Sequence, residues 1–218
     1  MIENDLYIAC LVLAGRKAVV VGAGTVGLEK IRSLIQCEAH VTVVAPEADP
    51  EVIKLVHERR IEWHQRPFEP PDLEGALLVV AATSDTAVNT AVYEAAEARK
   101  MLVNVVDVPD LCNFILPAIS RRGPIAIAVS TSGASPALAK RLRREIDERI
   151  GPEYGLLASL LDDERDWAKE SLPTYHDRKV FFESIVDGTP DPIELLRDGK
   201  VDSVRELIEA ARRRHAKG

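Results

Sequence analysis

The chain has 218 residues, 46% of them hydrophobic and 29% charged, with a formal net charge of −7. That length holds an ordinary domain plus an appendage, and the composition excludes a disordered or low-complexity protein. The acidic balance argues against non-specific nucleic-acid binding. No apolar run nears the about 20 residues of a membrane span, and the start MIENDLYIACLVLAGRK is acidic where a secretory leader is basic, so a cytoplasmic protein is expected.

From Lys17 the chain reads KAVVVGAG, a continuous apolar run into glycines, which predicts a buried parallel strand. A helix is expected over TVGLEKIRSLIQCE. There follow a strand (HVTVVAP), a helix (EVIKLVHERR), a short strand and turn (IEWHQRPF), a strand (ALLVVAAT), a helix (DTAVNTAVYEAAEARK) and a strand (MLVNVVD). Strands alternating with helices of this length predict a Rossmann-like parallel sheet with right-handed crossovers. After Asp107 the pattern changes. CNFILPAISRRGPIAIAVSTSG holds two short strand-like pieces joined through Arg121-Arg122-Gly123-Pro124, and SPALAKRLRREIDERI follows as a helix capped by Ser135 with Pro136 at its first position. Its apolar stripe is Leu138, Leu142, Ile146 and Ile150. From Gly151 onward the pattern is helical. The expected architecture is α/β: a Rossmann-like domain over 1–113, a small α+β dimerisation segment over 114–150 and a helical C-terminal domain over 151–218. The middle segment is too small to bury its own core and is expected to pack against a second copy.

Gly22, Gly24 and Gly27 stand in G-x-G-x-x-G spacing between the first strand and the first helix. The first glycine permits the tight turn, the second lets a pyrophosphate approach the backbone and the third allows close packing, with the helix N-terminus facing the phosphates. Glu47, at the end of the second strand, stands where a ribose-binding acid is expected. The nearest following arginine is Arg59, so NAD is expected over NADP. Thr83 and Ser84 end a later strand on the same edge, within reach of a ribose or nicotinamide; a helix cap at Ser84 or Asp85 explains them equally.

Asp107 ends the strand MLVNVV at this ligand edge. Partly desolvated between valines, it would be an acid/base with a raised pKa; a turn cap ahead of Pro109 is the competing explanation. Cys10, Cys37 and Cys112 form no C-x-x-C pair and the five histidines are scattered, so no protein metal site is expected. Residues 118 to 150 carry seven Lys and Arg against three acids, a local charge of +4. With the hydroxyl-rich loop Ser130, Thr131, Ser132 and Gly133 at a helix N-terminus, this island suits an anion.

VVVGAGTVGLEK, NVVDVPDLCNFILPA and IAIAVSTSGASPALAKRLRREI together resemble the siroheme-synthase dehydrogenase/ferrochelatase family, continuously over about residues 5 to 150. The resemblance implies oxidation of precorrin-2 to sirohydrochlorin with NAD as hydride acceptor, followed by insertion of ferrous iron as a substrate. It implies that Asp107 is the general acid/base, that Thr25, Val26, Pro46 and Glu47 contact NAD, and that the protein is a homodimer. Asn104 of the NVVD motif, the 130–133 loop, Lys140, Arg141 and Arg144 would then face a polycarboxylate tetrapyrrole. Two other readings are a dehydrogenase without chelatase activity and a non-catalytic NAD-sensing module.

Overall fold

The computed structural model describes residues 6–216; Met1–Asp5, which begin the acidic start, and Lys217 and Gly218 lie outside the described residues. Contacts divide the chain into two units, Met1–Leu116 and Pro117–Gly218. The break thus follows Leu116 rather than residue 113, and the expected boundary at 150 falls inside the second unit, between two helices.

The first unit is a five-stranded parallel sheet. In chain order it comprises β1 (Lys17–Ala23), α1 (Thr25–Gln36), β2 (His40–Ala48), α2 (Pro50–His57), β3 (Glu62–His64), β4 (Ala76–Ala81), α3 (Thr86–Glu97) and β5 (Leu102–Val105). The strand order is β3-β2-β1-β4-β5. The strands read as unbroken Val runs because both faces are covered. Val20, Val41, Val43 and Val80 pack with Leu28, Ile31 and Leu34 of α1 and Val52 of α2. Val19, Val21, Val79 and Val103 pack on the other face with Val92, Ala95 and Ala96 of α3. Strand order reverses between β1 and β4, so a crevice opens beyond their carboxyl ends, the usual ligand position in such sheets.

Local chemistry sets the ends of these elements. Asp49 caps α2 by accepting from the Glu51 amide, with Pro50 in the first helical turn. α2 stops at His57, short of the expected Arg60, because Arg59 turns the chain with a positive φ of 55°. β5 stops at Val105, two residues short of Asp107, although the Val106 amide still donates to the Ala81 carbonyl.

The second unit begins with an antiparallel hairpin of β6 (Ala118–Arg122) and β7 (Ile125–Val129). Arg121 and Arg122 lie in the strand, and the turn is Gly123-Pro124, where Gly123 supplies the positive φ (56°) that two-residue hairpin turns need. α4 (Pro136–Arg149) follows, capped by Ser135 as expected. Then come α5 (Pro152–Asp163), α6 (Arg165–Ser171), α7 (Tyr175–Val186), α8 (Pro192–Arg197) and α9 (Val201–His215). Phe181, Leu172, Ile185 and Val204 are the centre of their core. No helix of the described residues is long and apolar enough to cross a membrane.

Candidate active site

The three glycines of the β1–α1 turn have three different reasons to be glycine. Gly22 has φ of +101°, and a Cβ there would stand 2.5 Å from the Ala82 carbonyl oxygen. A Cβ on Gly27 would run into the carbonyl of Gly22. A Cβ on Gly24 would meet nothing within 4 Å, so its place is open space on the cleft. That open cradle, followed by the exposed first-turn residues Thr25 and Val26 of α1, fits a dinucleotide pyrophosphate: unpaired backbone amides face a gap that a side chain would fill.

The cleft has a volume of about 750 Å³ and runs from this turn past Pro46 and Glu47, Pro67 and Phe68, and Thr83 and Ser84 to Val106 and Asp107. It therefore brings together the cofactor residues expected from the sequence, together with Asp107, except Gly27, which is buried beneath the turn against the Gly22 carbonyl. Glu47 is exposed at the end of β2. None of the described residues lining the cleft is a lysine or arginine.

Sequence distance from Glu47 hid one relevant arginine. β3 pairs with β2 through Val44 and His64, and Arg66 follows two residues later, next in sequence to the cleft residues Pro67 and Phe68. Arg66 is nevertheless held: its guanidinium grips both carboxylate oxygens of Asp72, with one contact at 2.9 Å. Burial pushes the Asp72 carboxyl up, but the Arg66 guanidinium and the Glu69 amide outweigh it and hold the group below the usual carboxylate range.

At the end of β4 the cap is Asp85, which accepts from the amides of Ala87 and Val88 at 2.8 and 3.2 Å. Thr83 donates its hydroxyl to Asn89 Oδ1 at 2.9 Å and accepts from the Asp85 amide at 3.1 Å, so it belongs to the turn as well as to the cleft wall. Ser84 is exposed and not the cap.

Asp107 departs from the sequence expectation in a revealing way. It is exposed rather than desolvated between valines, and its φ of +62° lies in the left-handed region. Such a backbone is strained by about 1–2 kcal/mol for an ordinary residue, less for Asp, and tends to persist where function over-determines it. The side chain caps neither the turn nor the following single 3-10 turn, Pro109–Leu111, whose N-cap position is Val108 with no side-chain bond. The carboxylate thus projects with no protein hydrogen-bond partner among the described residues.

Asn104 is a correction. Expected on the substrate side, it is buried inside the domain and its amide nitrogen donates to the Phe114 carbonyl at 3.0 Å. Nearby, burial pushes the Cys112 thiol up, only partly offset by its bond to the Val105 backbone, so the thiol stays protonated.

In the second unit, the loop before α4 turns through Ser132 and Gly133, with φ of 50° and 85°. Ser130 Oγ accepts from the Ser132 amide, and Thr131 Oγ1 accepts from the Ser135 amide, both at 3.1 Å. The hydroxyls of Ser130 and Thr131 therefore shape the loop that was expected to hold an anion. On α4, Arg141 pairs with Glu145 at 2.8 Å, and Arg143 and Arg122 both approach Asp147. The Asp147 carboxyl is held low by the Ser120 hydroxyl first, and burial opposes it less than that bond and the arginines together favour it. Lys140 and Arg144 are exposed and, like Arg121 and Arg149, make no ion pair among the described residues, which leaves four uncompensated cations in the island.

Comparison with known proteins places these features. Family models match in succession: "Putative NAD(P)-binding" over residues 9–118, "Sirohaem biosynthesis protein central" over 122–149, and "Sirohaem synthase dimerisation region" over 153–211. The siroheme synthase of Methylobacillus flagellatus is 43% identical over 197 residues, covering 90% of this chain and 42% of that protein. That of Methylococcus capsulatus is 42% identical over 193 residues, covering 88% and 40%. The chain thus spans about two fifths of the length of these curated relatives. Among solved structures, "SirC, precorrin-2 dehydrogenase" superposes with a TM-score of 0.78 at 26% identity, over 95% of this chain and 100% of that one. With an NAD(P)-binding model matched over half of the chain and both siroheme-specific regions after it, the chain belongs to the siroheme-synthase dehydrogenase family.

Proposed function

We propose that the protein is an NAD-dependent dehydrogenase that oxidises precorrin-2 to sirohydrochlorin, with Asp107 as the proton-transfer group. One observation carries this reading: a carboxylate with no protein partner among the described residues, in a strained left-handed turn, lies on the wall of the cleft that begins at the glycine turn. The similarity to a structure titled precorrin-2 dehydrogenase and to siroheme synthases supports the choice of substrate.

When bound, NAD supplies the hydride acceptor. The chain's own residues do the rest. The open space at Gly24 and the first-turn amides of Thr25 and Val26 take the pyrophosphate, and Glu47 accepts from ribose hydroxyls. The exposed carboxylate of Glu47, in a cleft whose described lining has no cation, repels a 2′-phosphate and favours NAD over NADP. Loss of hydride from a reduced tetrapyrrole is accompanied by loss of a proton, which calls for a positioned base rather than a nucleophile. The carboxylate of Asp107 is free to accept it. Lys140, Arg144 and the 130–133 loop are assigned to the substrate's carboxylates.

The protein is also read as a homodimer. The support is the match of residues 153–211 to a sirohaem synthase dimerisation region, which lies after the 114–150 segment expected from the sequence to dimerise; Leu138 and Leu142 on α4, 47% and 37% exposed, add an apolar stripe in that earlier segment. The chelatase reading rests on the same free carboxylate, since iron insertion displaces two pyrrole N–H protons, and on the name of the relatives. Incubation with precorrin-2 and NAD under anaerobic conditions, followed by absorption spectroscopy, tests the first activity; no sirohydrochlorin above the protein-free control sinks it and leaves an NAD-binding module. Sirohydrochlorin with Fe²⁺ tests the second, and metallation no faster than without protein removes it.

A further inference from the structure

β5 is an edge strand of the sheet, with its outward backbone groups open to pairing. No sixth strand covers that edge among the described residues. Two side chains do so instead. Asn113 accepts from the Val103 amide at 2.8 Å through Oδ1, and its backbone N–H donates to the Val103 carbonyl at 3.0 Å. Cys112 Sγ accepts from the Val105 amide at 3.2 Å and lies 3.2 Å from the Val105 carbonyl and 3.3 Å from the Val108 carbonyl, either of which can take its proton. These bonds close the loop between Val105 and Cys112, and Asp107 is the residue of that loop held at positive φ.

We propose that Cys112 is a positioning residue for Asp107. Its thiol ties both sides of the turn, Val105 before the aspartate and Val108 after it, so that the carboxylate is aimed into the cleft instead of relaxing to a right-handed or extended conformation. The proposal rests on the reading of Asp107 as the proton-transfer group. It does not use the thiol as a nucleophile, a metal ligand or a redox centre. Cys112 itself has an extended backbone, φ −128° and ψ 129°, which a β-branched residue also adopts.

The test compares Cys112→Val and Cys112→Ala, which remove the sulfur's bonds, with Cys112→Ser, which keeps a donor and an acceptor. Each is made alone and in an Asp107→Asn background. Single-turnover oxidation, NAD affinity and thermal midpoint are measured for each. A misaimed group costs roughly 10- to 100-fold in rate. Cys112→Val and Cys112→Ala are therefore expected to slow turnover by at least ~10-fold with NAD affinity within ~2-fold, and Cys112→Ser to recover most of the rate. In the Asp107→Asn background the same substitutions are expected to change the rate by less than ~2-fold, because the group they aim is gone. A wild-type rate in the Val or Ala variant overturns the proposal, as does an equal loss in both backgrounds, which marks a structural role only. Should Asp107→Asn alone turn over at the wild-type rate, the reading of Asp107 fails first and the proposal falls with it.

Discussion

Substituting each glycine of the β1–α1 turn by alanine should give three separable outcomes, and Gly24→Ala is the informative one. Gly24 has φ −80° and ψ −168°, a conformation alanine adopts without strain, and its Cβ would meet nothing within 4 Å. Two small terms then oppose each other. Restricting the unfolded chain stabilises by about 0.4–1 kcal/mol, and alanine is a poorer N-cap than glycine by a similar amount. The net stability change should stay within about 1 kcal/mol, which for a chain of this size moves Tm by no more than ~4 °C. The new methyl group nevertheless occupies the space through which pyrophosphate approaches the first-turn amides. Charge-assisted bonds of that kind contribute about 1.5–3 kcal/mol, so losing one raises the Kd for NAD by roughly 10- to 150-fold. Gly22→Ala should behave oppositely, because its Cβ would stand 2.5 Å from a backbone oxygen at a φ of +101°. That variant should lose stability before NAD is added. Isothermal titration with NAD and thermal melts without it separate the two. A Gly24→Ala protein that binds NAD like the wild type, or that melts as early as Gly22→Ala, refutes the cradle.

Other outcomes follow from the same geometry. Because the folded Asp72 carboxyl lies below its unfolded value, its contribution to stability is present above the unfolded pKa of about 3.9 and is lost as pH falls through the folded value. Wild-type stability should therefore drop below about pH 4, and Asp72→Asn should show a lower midpoint at neutral pH with a flatter acid limb in pH-dependent melts. Glu47→Ala should weaken NAD by roughly tenfold while narrowing the preference over NADP, measured by comparing both Kd values; an unchanged ratio removes Glu47 from specificity. Reversing the charges of Lys140 and Arg144 should raise KM for the tetrapyrrole without altering NAD affinity. Equal losses for both ligands show that these cations act on folding instead.

The parts of this molecule written in local pattern could be read from the sequence. Continuous valine runs announce strands covered on both faces, and the glycine spacing sits between strand and helix where its steric logic needs it. Glu47 was legible because its position depends only on where β2 ends. What escaped depends on partners distant along the chain. Arg66 stands next to the cleft residues Pro67 and Phe68 only because β3 pairs with β2, and its capture by Asp72 depends on the loop between β3 and β4. Asn104 carries no mark that its amide turns inward to Phe114. An acid after the apolar run stands out at Asp107, but its place two residues beyond β5, its exposure and its left-handed backbone arise from the loop to Cys112, which no periodicity describes. Arg141 and Lys140 look alike in sequence, yet only Arg141 meets an acid one turn on at Glu145.

In the proposed reaction the Asp107 carboxylate takes up a proton as the tetrapyrrole is oxidised. Asparagine keeps the side chain's shape and tolerates a φ of +62°, so Asp107→Asn removes the base while preserving the turn. The direct measurement is the anaerobic rate of sirohydrochlorin formation from precorrin-2 and NAD, for wild type and Asp107→Asn, with NAD affinity determined alongside. A fall in turnover of ~10²-fold or more at unchanged NAD affinity is predicted. Turnover at the wild-type rate in Asp107→Asn would show that another group takes the proton.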